Sequence, residues 1–409
     1  MYLRTVMRQQ ARQYDSFYLY DERRIQAQIW RLRLAFPEVG FLYSVKANPN
    51  REILSCMAAN GLGADAASLE EVRASRAAGI APERIYYSAP GKTEGDLFGA
   101  MSAATLIADS PNEVETIRRL AERRGVRADI GVRINPAEDF DGGPGVPSKF
   151  GIDEEELFLL LPRWKVWDSF RVTGIHVHQR SQVLSEERLA AYYRRVFALA
   201  EGVQEVLGNP LTFLNFGSGI GIPCAPNDRE PEIDALGAAF AALREEYRTS
   251  LGGARLLMES GRYLVGDSGV YAMKVLDKKV SRGTTCVILK NTLNGFLRPA
   301  LAGLMPEGMA AAEPLFTARD AFRFSVLPAD PARDEGGPQE RVTLAGNLCT
   351  GADIIARDVL LPELRVGDIV LVNHAGSYGA ALTPLAFSGQ ERPTELFLKA
   401  DGEIVATPL

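Results

Sequence analysis

Long hydrophobic runs are missing from this chain: none approaches the ~20 apolar residues needed to cross a membrane. Met1-Tyr2-Leu3-Arg4, followed by the polar Arg8–Gln13, offers no apolar core of the kind an export signal requires, so a cytoplasmic protein is expected. Cysteine is scarce, and Cys56, Cys224, Cys286 and Cys349 stand far apart without a CxxC pair. That excludes the usual spacing of a structural zinc site or disulfide framework and fits a reducing compartment. With three histidines, and no carboxylate at ligand spacing beside His176 and His178, no metal centre is expected. Positive charge is also short. A net charge of −6 leaves no basic footprint for nucleic acid, and there is no fixed-period repeat or low-complexity segment. The expected partner is a small molecule.

What is present suits a large globular fold. The 409 residues exceed one ordinary domain, so two domains, or a barrel with a smaller companion, are expected. Ser16–Asp21 reads as a strand and Glu22–Phe36 as a helix, with Ile25, Ile29, Leu32 and Phe36 at helical spacing. Strand candidates then follow at Phe41–Ala47, Gly63–Ala67, Arg84–Ala89, Thr105–Asp109, Asp129–Asn135, Val172–His178, Thr212–Phe216 and Arg255–Glu259. Helical patterns lie between them at Arg51–Asn60, Leu69–Ala78, Pro111–Arg124, Glu186–Leu207 and Glu232–Thr249. Eight strands alternating with helices over about 240 residues predict an α/β fold, a closed parallel (β/α)8 TIM barrel.

Beyond Arg262 the texture changes to short apolar strands, predicting a C-terminal all-β domain that Phe17–Tyr20 joins. Its strand candidates are Val265–Val280, Thr285–Leu289, Phe322–Leu327, Arg341–Leu344, Ile369–Val372 and Glu395–Lys399. Pro328–Pro338 reads as an exposed, mobile loop. The expected domains are therefore 22–262 for the barrel and 1–21 with 263–409 for the β domain.

A barrel gathers its site at the carboxyl ends of its strands. Lys46, Asp65, Ser88, Asp109, Arg133, Asn135, His178, Gly217–Gly221 and Glu259 all fall there. Lys46 closes an apolar run, where burial would lower its pKa towards neutrality and suit it to Schiff-base chemistry. The turn Asn215-Phe216-Gly217-Ser218-Gly219-Ile220-Gly221 follows a strand, and its alternate glycines let backbone N–H groups close on a phosphate. Its spacing is neither GxGxxG nor a P-loop, and a plain tight turn is the other reading. Strand alternation points His176 and His178 to one face, either as packed core rings or stacked on a planar ligand. Glu259 ends a buried strand and needs a partner, either Arg262 or a protonated ring nitrogen.

These blocks, with Ser148-Lys149-Phe150-Gly151, Leu297-Arg298-Pro299-Ala300-Leu301, Cys349–Asp353 and Gly376-Ser377-Tyr378-Gly379, occur in the order seen in a known family. The chain resembles the pyridoxal-phosphate-dependent decarboxylases of the ornithine/diaminopimelate/arginine group, with their alanine-racemase-like fold type III barrel. The resemblance implies pyridoxal 5′-phosphate held by Lys46 as a Schiff base and Glu259 on its pyridine nitrogen. It places Gly217, Gly219, Gly221, Ser181 and Tyr378 at the phosphate, His178 on the ring face, and Arg133, Asp65, Gly261 and Arg262 beside the cofactor. Cys349, reaching in from the second subunit of a homodimer, would return a proton after CO2 leaves. Arg262, Arg298, Thr350 and Tyr378 would meet the substrate.

Departures bear on that substrate. Thr350 stands where many diamine-producing members carry an acid for the distal ammonium. Ala302 stands where the diaminopimelate branch has a tyrosine, Arg180 replaces the glycine before Ser181, and Asn215 stands where aspartate is common. Together with Leu382–Phe387, this looks more like members acting in siderophore, carrier-protein or polysaccharide pathways, on a modified or conjugated amino acid. Diaminopimelate decarboxylation, a racemase of the same fold and a catalytically silent homologue are the rivals. Glu259 speaks against the racemase, which usually sets an arginine against the ring nitrogen. Lys46 and Cys349 speak against the silent homologue.

Overall fold

The structure is a computed structural model that describes residues 2–304, 321–334 and 337–407. The chain divides into two compact units. One comprises residues 27–222 and 229–263; the other, residues 1–26, 223–228 and 264–409.

In the first unit, Val39–Ser44, Gly63–Ala66, Ile85–Tyr87, Thr105–Ala108, Ala128–Asn135, Phe170–His176, Phe213–Asn215 and Arg255–Ser260 pair in parallel. The last returns to the first, with Leu256 opposite Val39, and closes an eight-stranded barrel. Leu42, Tyr86, Ile107, Phe213 and Leu257 fill its interior. The strand–helix loops end in residues that cap the helix after them. Asn50 accepts from the N–H of Glu52 and Ile53, Ser68 from Glu71, Ser110 from Glu113 and Ser185 from Arg188. Such short, capped loops hold their side chains over the mouth.

Several expected strands end earlier. Val39–Ser44 gives way to a 3-10 turn, Val45–Ala47, so Lys46 sits on the turn and not on the strand. Phe170–His176 stops before His178, so strand alternation does not place His176 and His178 on one face. The helices Glu94–Ala100 and Glu154–Trp164 escape the sequence reading because glycines interrupt the first and Pro162 lies inside the second.

The second unit is mostly sheet. Ser16–Asp21 pairs antiparallel with Gly269–Ser281 and parallel with Thr394–Leu398, so the early strand does join the late ones. Two further strands, Ile354–Pro362 and Ile404–Thr407, and two helices, Tyr2–Gln10 and Leu297–Leu304, were not anticipated. Tyr2–Gln10 buries only Val6 and Met7, too little apolar signal to mark a helix. Within Pro328–Pro338, Arg333 pairs with the buried Asp368, and Asp334 pairs with Arg4 and Arg8. That stretch is anchored where it is described; residues 335 and 336 lie outside the described residues. No described helix is long and apolar enough to cross a membrane.

Candidate active site

The barrel mouth holds two linked sets of polar side chains. On one side, Nζ of Lys46 lies 2.9 Å from Oδ2 of Asp65, which is fully buried. Ser88, one residue past its strand, donates to Oδ1 of the same carboxylate at 2.5 Å. Lys46 itself is 46% exposed, so pairing, and not the burial expected from sequence, defines its surroundings. Gly261 has a packing reason: a Cβ there would meet Cβ of Ala47 at 2.8 Å and of Ser44 at 3.1 Å, so glycine lets the Lys46 turn sit close.

Beside this pair, the buried Arg133 lies over the ring of Phe150 at 4.3 Å and 3.8 Å from Asp109. Burial pushes the Asp109 carboxyl up, against the pull of Arg133. Behind it lies a pair that the sequence reading missed. Lys92, with its side chain fully buried, bonds Glu113 at 2.8 Å, and Glu113 also accepts from the backbone N–H of Lys92 and of Asp109. Burial lowers the Lys92 pKa. Its only sequence signal was a glutamate near the start of a serine-capped helix.

Across the mouth, Glu259 is buried, with Nδ2 of Asn215 donating to its Oε1 at 2.8 Å. Nε2 of His176 stands 3.0 Å from the same oxygen, although the ring is not aligned for a hydrogen bond. Burial would raise the Glu259 pKa, but nearby His176 and Lys46 hold it well below the usual carboxylate range. Asn215 and His176 thus stand against the Glu259 carboxylate from the two preceding strands. His178, in the loop past its strand, takes the opposite shift: burial pulls its pKa down to about 3, so the imidazole is neutral. Its Nε2 is 3.0 Å from Oγ of Ser181. Arg180 turns to Asp141, 3.0 Å away, which supplies a countercharge for its guanidinium.

The glycine turn runs beneath these rings. A Cβ on Gly217, where φ is +57°, would collide with His178, and one on Gly221 would meet the backbone of Gln182 at 2.8 Å. The N–H of Gly217 is taken by Asn215 and that of Gly221 by Val183. Among the described residues, that leaves the amides of Ser218 and Gly219 without an internal acceptor.

The second unit holds the remaining candidates. Cys349 is exposed, and Thr350 lies in a loop knotted by the buried Asp353, which accepts from Leu293 and Leu348. Arg298 is buried, donates to the carbonyl of Ser377 at 2.9 Å and lies over the ring of Phe322. Tyr378, next to Ser377, has a positive φ of 52°. Among the described residues, no cluster of side chains could hold a metal ion.

The phosphorylated pyridine that the sequence resemblance implies fits this arrangement. The barrel mouth offers an ionised buried acid for a ring nitrogen and a neutral imidazole with an orphaned buried Nδ1. It adds a glycine turn with free amides for a phosphate and a lysine at the rim.

The model of the pyridoxal-dependent decarboxylase pyridoxal-binding domain matches residues 22–266. An L-glutamyl-[BtrI acyl-carrier protein] decarboxylase of Niallia circulans is 31% identical, over 94% of this chain and 89% of its own. A diaminopimelate decarboxylase of Thermoplasma acidophilum is 32% identical, over 95% and 88%. The solved structure of diaminopimelate decarboxylase from Helicobacter pylori complexed with L-lysine aligns with a TM-score of 0.81 at 27% identity, over 96% of this chain and 93% of that one. This chain belongs to the pyridoxal-dependent decarboxylases, enzymes that use pyridoxal 5′-phosphate to remove the carboxylate of an amino acid.

Proposed function

We propose that this decarboxylase acts on an amino acid whose distal end is conjugated, such as a glutamyl group on a carrier protein. The observation that carries this reading is Thr350 beside Cys349. A neutral hydroxyl cannot offset the charge of a buried distal ammonium, whereas it suits an amide or thioester. The relative from Niallia circulans, whose name specifies a carrier-linked glutamyl substrate, supports it.

In this reading Lys46 carries the cofactor, and Asp65, braced by Ser88, fixes the direction of the amine. Glu259 holds the proton on the ring nitrogen. His178 covers one ring face as a neutral surface, and the amides of Ser218 and Gly219, with Ser181, receive the phosphate. Arg133, Gly261 and Arg262 complete the walls. Bound pyridoxal phosphate supplies an electron sink for the pair left behind when the carboxylate departs as CO2. Cys349 then delivers the proton from its Sγ to the substrate carbon, while Arg298, Thr350 and Tyr378 line the distal side. We place the working unit as a cytoplasmic homodimer in which residues 22–262 bind the cofactor, while 1–21 and 263–409 serve the partner subunit.

The test is mass spectrometry for CO2 loss from free ornithine, lysine, arginine, meso-diaminopimelate and glutamate, beside glutamate loaded on a carrier protein. Loss from the loaded form alone is expected. Efficient turnover of any free amino acid would overturn the substrate class.

A further inference from the structure

Asn215 lies in a closed ring of three hydrogen bonds. Its Nδ2 donates to Oε1 of Glu259 at 2.8 Å, and its Oδ1 accepts from the N–H of Gly217 at 3.0 Å. The carbonyl of Gly217 in turn accepts from the N–H of Glu259. The side chain is completely buried, and strand register sets Asn215 opposite His176 on one side and Leu257 on the other.

The surroundings fix both ends of the amide. The end facing a carboxylate must donate, and the end facing a peptide N–H must accept. Aspartate has the same shape but no donor. At this position it would set a second carboxylate against Glu259, and two such groups in contact retain a proton that one carboxylate alone does not need.

We propose that Asn215 is a positioning residue that ties the glycine turn to Glu259 and lets Glu259 serve the cofactor's ring nitrogen without a second, titrating carboxylate. With asparagine here, the tie to Glu259 needs no proton uptake, whereas aspartate would need one to restore the donor. The inference rests on the placement of the ring against Glu259 argued above. The other ionisable groups acting here are His176 and Lys46 on Glu259, His178 beside both, Arg133 acting on His178, and Tyr192, which feels Glu259. None of these groups is a carboxylate.

The test measures pyridoxal phosphate binding by equilibrium dialysis between pH 5.5 and 9 for the full-length wild type, Asn215→Ala and Asn215→Asp, with folding checked by circular dichroism. Asn215→Ala loses the tie but gains no charge, so its dissociation constant should exceed the wild-type value by about tenfold or more, with a ratio constant across pH. The Asn215→Asp ratio should instead climb with pH, by up to tenfold per unit, and shrink at the acidic end. Parallel ratios for the two variants, or wild-type affinity in Asn215→Ala, overturn the proposal. If Asn215→Asp does not fold, Asn215→Ala still decides: wild-type affinity refutes the tie, and a pH-independent loss supports it. Glu259→Gln tests the ring placement separately: an unmoved visible band of the bound cofactor refutes that placement, a result distinct from parallel ratios.

Discussion

Asp65 receives Nζ of Lys46 on one carboxylate oxygen and the hydroxyl of Ser88 on the other, from a position with no solvent exposure. The buried acid is therefore held from behind and faces the amine in a single direction. Asp65→Asn keeps the shape but removes the charge, and a hydrogen bond to a charged group contributes about 1.5–3 kcal/mol. Turnover of the loaded protein should fall about 10- to 100-fold, while absorbance still shows bound cofactor. Unchanged turnover would mean that the pair does not orient the amine.

His178 titrates far below its ordinary 6.5, at about 3, because burial disfavours the imidazolium. The unfolded chain thus binds a proton there that the folded chain does not between those values. The sign follows: the protein is more stable above pH 6.5 and loses stability as pH falls towards 3. His178→Phe keeps a flat ring but cannot titrate, so its melting temperature should fall less steeply than wild type between pH 6.5 and 4. Identical slopes in thermal melts would refute the assignment.

The parts of the fold and site legible in the sequence were those with local chemistry. Alternating apolar periods located the eight barrel strands, and Gly217, Glu259 and Lys46 stood out because glycine clusters and charges at the ends of apolar runs are rare. What stayed hidden depends on partners distant in sequence. Asn215 read as a minor departure, yet it contacts Glu259, 44 residues away. His176 looked like a companion of His178 until the strand ended between them. Lys92 followed a proline–glycine turn, where a lysine is ordinarily solvated, and only the returning helix at Glu113 buries it.

That buried pair sets the third expectation. Breaking a buried ion pair by removing one partner strands the other charge, at a typical cost of about 3–5 kcal/mol. Lys92→Met should therefore lower the denaturant midpoint sharply. Lys92→Met with Glu113→Gln, which leaves no stranded charge, should recover a large part. Urea unfolding of both variants measures this, and an equal loss in the double variant would show that the pair acts through packing alone.

Thr350 offers a gain of function as the last test. If its hydroxyl is what turns away a free distal ammonium, restoring a carboxylate should reverse the preference. Thr350→Glu places an anion beside Cys349, in a loop that Asp353 still holds through the N–H groups of Leu293 and Leu348, although it gives up the bond that the Thr350 hydroxyl accepts from the N–H of Ala352. A new charge-assisted bond of about 1.5–3 kcal/mol corresponds to roughly 10- to 100-fold in kcat/KM. Decarboxylation of free ornithine or lysine should rise by that factor while the conjugated substrate loses ground, because its neutral end cannot offset the desolvated carboxylate. If both rates fall together, the loop position does not face the distal end of the substrate, and selectivity lies elsewhere on the sheet unit.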